Sequence, residues 1–380
     1  MQKKLLFVLG TRPEAVKMSP LIIAAKKDRE YYRPIVCNTA QHRNMVDQVL
    51  SFFNITPDYD LDIMQSNQNL FDITRLLFNK LQFLVNEIRP DLILVQGDTA
   101  TAFIGALVAF YSKIPVAHIE AGLRSYNRYS PYPEEIYRRM ISEIANYHFA
   151  PTNTDKLNLA KENITDNIHV VGNTAIDALL LGLNLIQNSN EQRYYDIFSF
   201  LNFRKKLVLV TSHRRENFGV PLKNICLAIK LLAEEYPQVQ FVYPIHPNPN
   251  VKEIVDTNLS NINNVFLIDP LDYPYMIWLM NKSHIIITDS GGIQEEAPSL
   301  GKPVLVTRSV TERTEGIKTG NAKLVGTSVK TIIETTKSLL DNDNYYISMS
   351  KKYDLYGDGR SSEYILKILK EDLASSLQIS

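Results

Sequence analysis

His284-Ile285-Ile286-Ile287-Thr288-Asp289-Ser290-Gly291-Gly292-Ile293-Gln294-Glu295-Glu296-Ala297 carries the clearest structural signal in the chain. A short, nearly unbroken apolar run enters a Ser-Gly-Gly turn and leaves it as a helical segment. An apolar run without alternation is the mark of a strand buried on both faces, as in a parallel sheet. The small residues let a ligand approach the backbone, and free N–H groups at a helix start favour a phosphate. Glu296 lies about one and a half turns into the helix, within reach of ribose hydroxyls. An ordinary tight turn with an N-cap serine reads the same way, so this stretch alone leaves both readings open.

The pattern repeats on either side. Upstream the runs are KLLFVLG, RPIVC, DLILVQGD, IPVAHIEA, YHFAPT and HVVGNT, then KLVLVTSH, VQFVYPIH and NVFLID; downstream they are KPVLVTR and AKLVG. Helical stretches lie between them, such as 70–87, 101–112, 222–235, 329–340 and 363–373. Alternation of β and α predicts a doubly wound α/β architecture. The rhythm weakens once, over the polar stretch 179–204. The expected division is a first domain over 1–172, a second over 173–360, and a final helix over 361–380 that crosses back to the first.

Bulk properties agree with a globular enzyme. The chain has 380 residues, beyond the roughly 250–300 at which one core stops growing. Lys plus Arg and Asp plus Glu both number 41. The balance argues against nucleic acid or an anionic membrane as main partner, because both call for a basic field. It leaves room for one local basic pocket. No stretch approaches the roughly 18 apolar residues of a membrane helix. Cys37 and Cys226 sit in apolar segments and read as buried small hydrophobes, which fits a reducing, cytoplasmic setting.

The chemistry-bearing residues gather just after apolar runs, where parallel α/β sheets bind ligands. Gly10-Thr11-Arg12-Pro13-Glu14 follows the first run, with Lys17 on the same helical face as Glu14. Arg12 offers a planar fork suited to phosphate oxygens. A capped helix start with a solvated salt bridge reads equally well. No G-x-x-x-x-G-K-[ST] and no G-x-G-x-x-G occurs, so nothing calls for a dinucleotide cofactor. Ser212-His213-Arg214-Arg215-Glu216-Asn217 places a histidine and two arginines at one strand end. His213 can pair with a phosphate or give a proton. Asp98, Glu120 and Glu134, the last after Pro133 at an expected helix start, are the carboxylates of interest. Together they suit acid/base work; separately, each suits a helix cap or a pair with Arg124, Arg138 or Arg139. Histidines and cysteines lack metal-ligand spacing, so no metal is expected.

Taken in order, these segments resemble the non-hydrolysing, bacterial-type UDP-N-acetylglucosamine 2-epimerases. The likeness runs through Gly10–Lys17, Thr39-Ala40-Gln41-His42-Arg43, Gln96-Gly97-Asp98-Thr99, His118–Arg124 and Ser130–Glu135. It continues through Gly172–Asp177, His213–Glu216, Thr288–Gly301, Thr311-Glu312-Arg313 and Tyr356-Gly357-Asp358-Gly359. The resemblance implies a GT-B architecture of two Rossmann-like domains facing across a cleft, no cofactor, and a homodimer. It implies interconversion of UDP-GlcNAc and UDP-ManNAc for surface polysaccharide synthesis, by elimination of UDP to an enzyme-bound 2-acetamidoglucal and re-addition.

Roles follow from the same likeness. Asp98, Glu120 and Glu134 resemble the acid/base set, with Lys17 an active-site cation and His213 counted among the catalytic groups. Arg12, His213, Ser290, Gly291 and Gly292 resemble diphosphate contacts, with Arg313 nearby; Glu296 resembles the ribose anchor, and Arg138 is assigned to the substrate. Gln41, Arg214 and His246 match positions that hold an allosteric effector in some members, where Asn44 and Asn67 replace the expected glutamine and arginine. Gln96, Tyr137 and Thr314 also depart from the common pattern. A hydrolysing epimerase, a GT-B glycosyltransferase and a non-catalytic nucleotide-sugar sensor are the competing readings.

Overall fold

Strand β1 (Lys3–Leu9) buries Leu5, Leu6, Phe7, Val8 and Leu9 completely. Only a sheet covered on both faces can hide five successive side chains. The computed structural model, which describes residues 2–65 and 68–375, has two such sheets. The first adds β2 (Tyr32–Asn38), β3 (Tyr59–Asp60), β4 (Leu92–Gln96), β5 (Val116–Ile119), β6 (Tyr147–Ala150) and β7 (Ile168–Val170). All pairings are parallel and the order is β3-β2-β1-β4-β5-β6-β7. The second sheet comprises β8 (Leu207–Thr211), β9 (Gln240–Pro244), β10 (Val265–Ile268), β11 (Ile285–Thr288), β12 (Val304–Val306) and β13 (Ala322–Leu324). It too is wholly parallel, in the order β10-β9-β8-β11-β12-β13.

Both orders are the doubly wound 3-2-1-4-5-6 pattern, with one extra edge strand in the first sheet. The winding reverses between β1 and β4, and again between β8 and β11. At such switch points neighbouring turns diverge and leave a crevice outside the carboxyl ends. The two-residue β3 was not expected, because Tyr59–Asp60 carries no apolar run.

Contacts divide the chain into two compact units: Met1–Leu181 with Tyr356–Ser380, and Gly182–Leu355. The expected break at Gly172–Asn173 therefore falls inside the first unit, and the second ends before Gly359. The cause is local. Helix Thr174–Asn188 begins beside the returning chain, where the Asp177 carboxylate accepts from the backbone N–H groups of Ser361 (3.2 Å) and Ser362 (2.7 Å). The Asn173 N–H donates to the Tyr356 carbonyl at 2.5 Å. A Cβ on Gly172 would stand 2.8 Å from the Gly357 Cα, so both glycines are required for this approach.

The final helix, Ser361–Ser375, lies on the first unit. The Tyr32 hydroxyl donates to the Leu366 carbonyl at 2.6 Å, and Lys370 pairs with Asp28 at 2.7 Å. In the second unit the weak-rhythm stretch is anchored by aromatics. Phe198 stacks on the buried Trp278 with ring centroids 5.4 Å apart. Among the described residues, no helix is long and apolar enough to cross a membrane.

Candidate active site

In the first unit the register pairs Gln96 with Ile119, so the residues after β4 and β5 emerge side by side. Gly97 and Glu120 both take left-handed backbone conformations there, with φ of 70° and 67°. For glutamate that conformation is uncommon, and it turns the side chain out of the strand's alternation. Lys17, in the second turn of helix Arg12–Lys27, reaches both Glu120 oxygens at 2.7 and 2.6 Å. The Gln96 amide donates to the same carboxylate. Asp98 pairs with Arg138, whose other terminal nitrogen lies 3.3 Å from Glu135. The Glu120 side chain is 8% exposed and that of Asp98 24%, so Asp98 is the more accessible.

Glu134 opens helix Glu134–Ile144, with Pro133 at the N-cap rather than inside the first turn. It precedes Arg138 by one turn, and its Oε2 is buried without a hydrogen-bond partner among the described residues. Arg12 is exposed at the first position of its helix.

Two residues given no role on sequence grounds hold these turns in place. Glu14 is fully buried and accepts from the N–H groups of Gly10 (3.0 Å) and Thr11 (2.7 Å) and from the Thr99 hydroxyl (2.5 Å). It therefore ties the turn after β1 to the turn after β4. Burial, outweighing these three donors, pushes its carboxyl up to about 7. His118 is also fully buried, with Nε2 2.7 Å from the Gly97 carbonyl. Burial drives its imidazole down to about 3. The ring is neutral, carries its proton on Nε2, and fastens the Gly97-Asp98 turn.

In the second unit the register pairs Thr211 with Thr288, setting Ser212 beside Asp289. Asp289 is completely buried and gathers the whole turn after β8. It accepts from the Ser212 hydroxyl (2.8 Å), the N–H groups of His213 (3.0 Å) and Arg214 (3.0 Å), and the Asn217 amide (2.9 Å). Burial alone would raise its carboxyl; the His213 contact and these donors outweigh it and bring it to about 2. His213 is left 38% exposed and stacks on His246, with ring centroids 5.9 Å apart.

Ser290 is the N-cap of helix Gly291–Ser299, yet its hydroxyl makes no capping bond. The serine-cap alternative is thus not realised, and the N–H groups of the first turn are uncapped by it. A Cβ on Gly292 would meet nothing within 4 Å, whereas one on Gly291 would lie 3.0 Å from the Arg313 Cζ. Arg313 pairs with Glu295 at 2.9 Å, and Arg308 pairs with Glu216 (2.7 Å) and Glu312 (2.9 Å). Arg214 is half-buried; burial first, then the charges of Arg308 and Arg313, press its guanidinium below its usual range. Arg313 thus lies beside the helix N-terminus, within the charge field it shares with Arg308 and Arg214, which suits an anion. Glu296 is buried in the same helix.

Of the residues matched to an effector site, Gln41 is in the first unit and accepts from the Thr101 hydroxyl at 3.2 Å. Arg214 and His246 are in the second unit. Asn44 is exposed, and Asn67 lies outside the described residues. Tyr137 stacks on Phe103 at 5.1 Å, and Thr314 opens a short helix.

Two Rossmann-like units, each with polar turns at its switch point, define an α/β protein of paired doubly wound units. The family model described as UDP-N-acetylglucosamine 2-epimerase matches residues 24–370. The UDP-N-acetylglucosamine 2-epimerase of Escherichia coli K12 is 48% identical over 375 residues, covering 98% of this chain and all of that one. The crystal structure of the Neisseria meningitidis UDP-GlcNAc 2-epimerase bound to UDP-GlcNAc superposes with a TM-score of 0.90 at 48% identity, covering 98% and 100% of the two chains. That of Methanocaldococcus jannaschii, in complex with UDP-GlcNAc and UDP, gives 0.81 at 34% identity over 98% and 100%. The chain belongs to the UDP-N-acetylglucosamine 2-epimerase family and is an isomerase.

Proposed function

We propose that the chain interconverts UDP-GlcNAc and UDP-ManNAc without hydrolysis. The observation that carries the reading is the pair of switch-point assemblies. One unit sets Lys17, Glu120, Asp98 and Arg138 at its sheet's carboxyl edge. The other sets His213, Arg214 and Arg313 around the open turn Ser290–Gly292.

In this reading the second unit holds UDP. Ser290, Gly291 and Gly292 meet the diphosphate with His213 and Arg313, and Glu296 takes the ribose; Arg12 adds a fork to the phosphates. The first unit works on the sugar, with Arg138 among its contacts. A carboxylate of the set Asp98, Glu120 and Glu134 removes the C2 proton. That electron pair becomes the C1–C2 double bond as the C1–O bond breaks, and UDP leaves with the bonding pair. A protonated group of the set then returns a proton to the opposite face of C2 while UDP adds back at C1. No electrons are gained or lost overall, so the step needs no redox cofactor. The ammonium of Lys17 stabilises negative charge as it develops nearby.

The same reading places the enzyme in the cytoplasm, supplying ManNAc-type sugars to surface polysaccharide synthesis, and makes it a homodimer. Exposed apolar side chains on helices Leu70–Ile88 and Ala100–Tyr111, namely Phe71, Phe83, Phe110 and Tyr111, support a second copy as partner. Gln41, Arg214 and His246 are assigned to effector binding, with Asn44 and Asn67 altering that site.

Incubation with UDP-GlcNAc alone in D2O tests the reaction. The expected result is UDP-ManNAc with deuterium at C2, seen by NMR. Free ManNAc with UDP would identify a hydrolysing enzyme. Unchanged sugar without deuterium would refute the proposal.

A further inference from the structure

The mechanism above uses His213 but leaves open how its ring is aimed. Asp289 supplies a physical answer. Its Oδ2 receives four donors: the Ser212 hydroxyl, the backbone N–H groups of His213 and Arg214, and the Asn217 amide. Among the described residues, its Oδ1 receives one backbone donor, the shared N–H of His213 at 3.1 Å. The His213 ring then places Nδ1 3.2 Å from that Oδ1. A carboxylate can accept but not donate when ionised. The partner it selects is therefore the ring in which Nδ1 bears the proton.

His246, stacked on the other ring, has the complementary arrangement: its Nδ1 accepts the Asn248 N–H at 3.2 Å. The two imidazoles are thus distinguishable although they lie face to face.

We propose that Asp289 is a positioning residue, holding His213 with Nδ1–H toward its own Oδ1 so that Nε2 is the nitrogen turned to the diphosphate, to which it donates once it has taken up a proton there. Asp289 does not touch substrate; it acts through His213. The inference rests on the reading of His213 as a diphosphate contact. It adds the tautomer, the nitrogen that faces the ligand, and the residue that sets both. Oriented imidazoles held by a buried carboxylate work this way in acyl-transfer triads, where a carboxylate-to-amide change leaves the geometry but gives the wrong tautomer.

The test uses the full chain, uniformly labelled with 15N. Long-range proton–nitrogen correlations report which ring nitrogen carries the proton, and loss of one signal set in His213→Gln assigns His213 among the 7 histidines. The expected free-state spectrum shows neutral His213 protonated on Nδ1, and saturating UDP shifts its Nε2 resonance. In Asp289→Asn the amide oxygen takes the four-donor position and the NH2 group faces Nδ1. The ring should invert to Nε2–H, with kcat down by about a hundredfold or more and the Kd for UDP changed by less than about tenfold.

A neutral His213 protonated on Nε2 in the unaltered protein overturns the proposal, whether or not the variant folds. So does an Nε2 resonance that does not move while calorimetry shows UDP bound. Failure of the underlying functional reading looks different: UDP gives no binding heat and UDP-GlcNAc gains no deuterium, whatever the free-state tautomer.

Discussion

Lys17 and Glu120 form an ion pair in which one ammonium reaches both carboxylate oxygens, at 2.7 and 2.6 Å, across 103 residues of sequence. The side chains are only 14% and 8% exposed, so the pair is largely shielded from water. Lys17→Met removes the ammonium from a largely buried carboxylate that keeps the Gln96 amide, and should cost about 3 kcal/mol of stability. Chemical denaturation of wild type and variant checks this.

Glu120→Gln and Asp98→Asn keep shape and hydrogen-bonding capacity while removing the proton acceptor. Both should bind UDP within a few-fold of wild type and lose about a hundredfold or more in turnover. Deuterium incorporation at C2 and UDP calorimetry measure the two quantities separately. Near-normal exchange in both variants would take these carboxylates out of the mechanism.

Gly291 and Gly292 should respond differently to a methyl group. A Cβ at Gly292 finds open space, so Gly292→Ala should leave the melting temperature unchanged or slightly raised by helix propensity. It should nevertheless weaken UDP about tenfold or more, because the methyl occupies the approach to the helix N-terminus. Gly291→Ala must first displace the Arg313 guanidinium. His213→Ala should weaken UDP and also lower stability, since the buried Asp289 carboxylate loses the ring contact that helps hold it ionised while its backbone anchors remain. Thermal melts paired with binding titrations separate these cases.

Glu14 gives the protein a pH signature. Its carboxyl is raised from 4.5 to about 7 by burial, so the folded state holds a proton that the unfolded chain releases. Its contribution is fully present below about 4.5 and is lost as pH rises through 7. Relative to Glu14→Gln, wild type should lose about 3 kcal/mol between pH 4.5 and 7. A parallel pH dependence for the two proteins would show that Glu14 stays ionised.

His148 acts in the opposite sense. Burial drives its imidazole down to about 4, so the unfolded chain takes up a proton that the fold refuses. Stability from this group is present above 6.5 and falls as pH drops toward 4, by up to about 1.4 kcal/mol per pH unit. His148→Gln should flatten that acid limb in denaturation midpoints measured across this range.

Much of this architecture is legible in the sequence because buried parallel strands are apolar on both faces. The runs around Leu5–Leu9 and Ile285–Thr288 are strands, and the polar residues after them sit at switch points. What stays hidden depends on strand order and register. Nothing near Asp289 in sequence shows that it gathers a turn 72–77 residues earlier, or that Glu14 reaches Thr99. Both links appear only once β8 is beside β11 and β1 beside β4. The break between units is hidden for another reason: it falls inside a continuous helix, Thr174–Asn188, with no loop to mark it.

That break also makes the second unit an insertion within the first, since Tyr356–Ser380 returns to the unit that Met1–Leu181 began. On a ribosome the inserted unit emerges complete while its host still lacks the strap around Asp177 and Tyr32. The host is therefore finished last although it is started first. A nascent chain stalled before Tyr356 should present a protease-resistant second unit and a vulnerable first, and damage to the tail should harm the amino-terminal half of the molecule rather than its nearest neighbour in sequence.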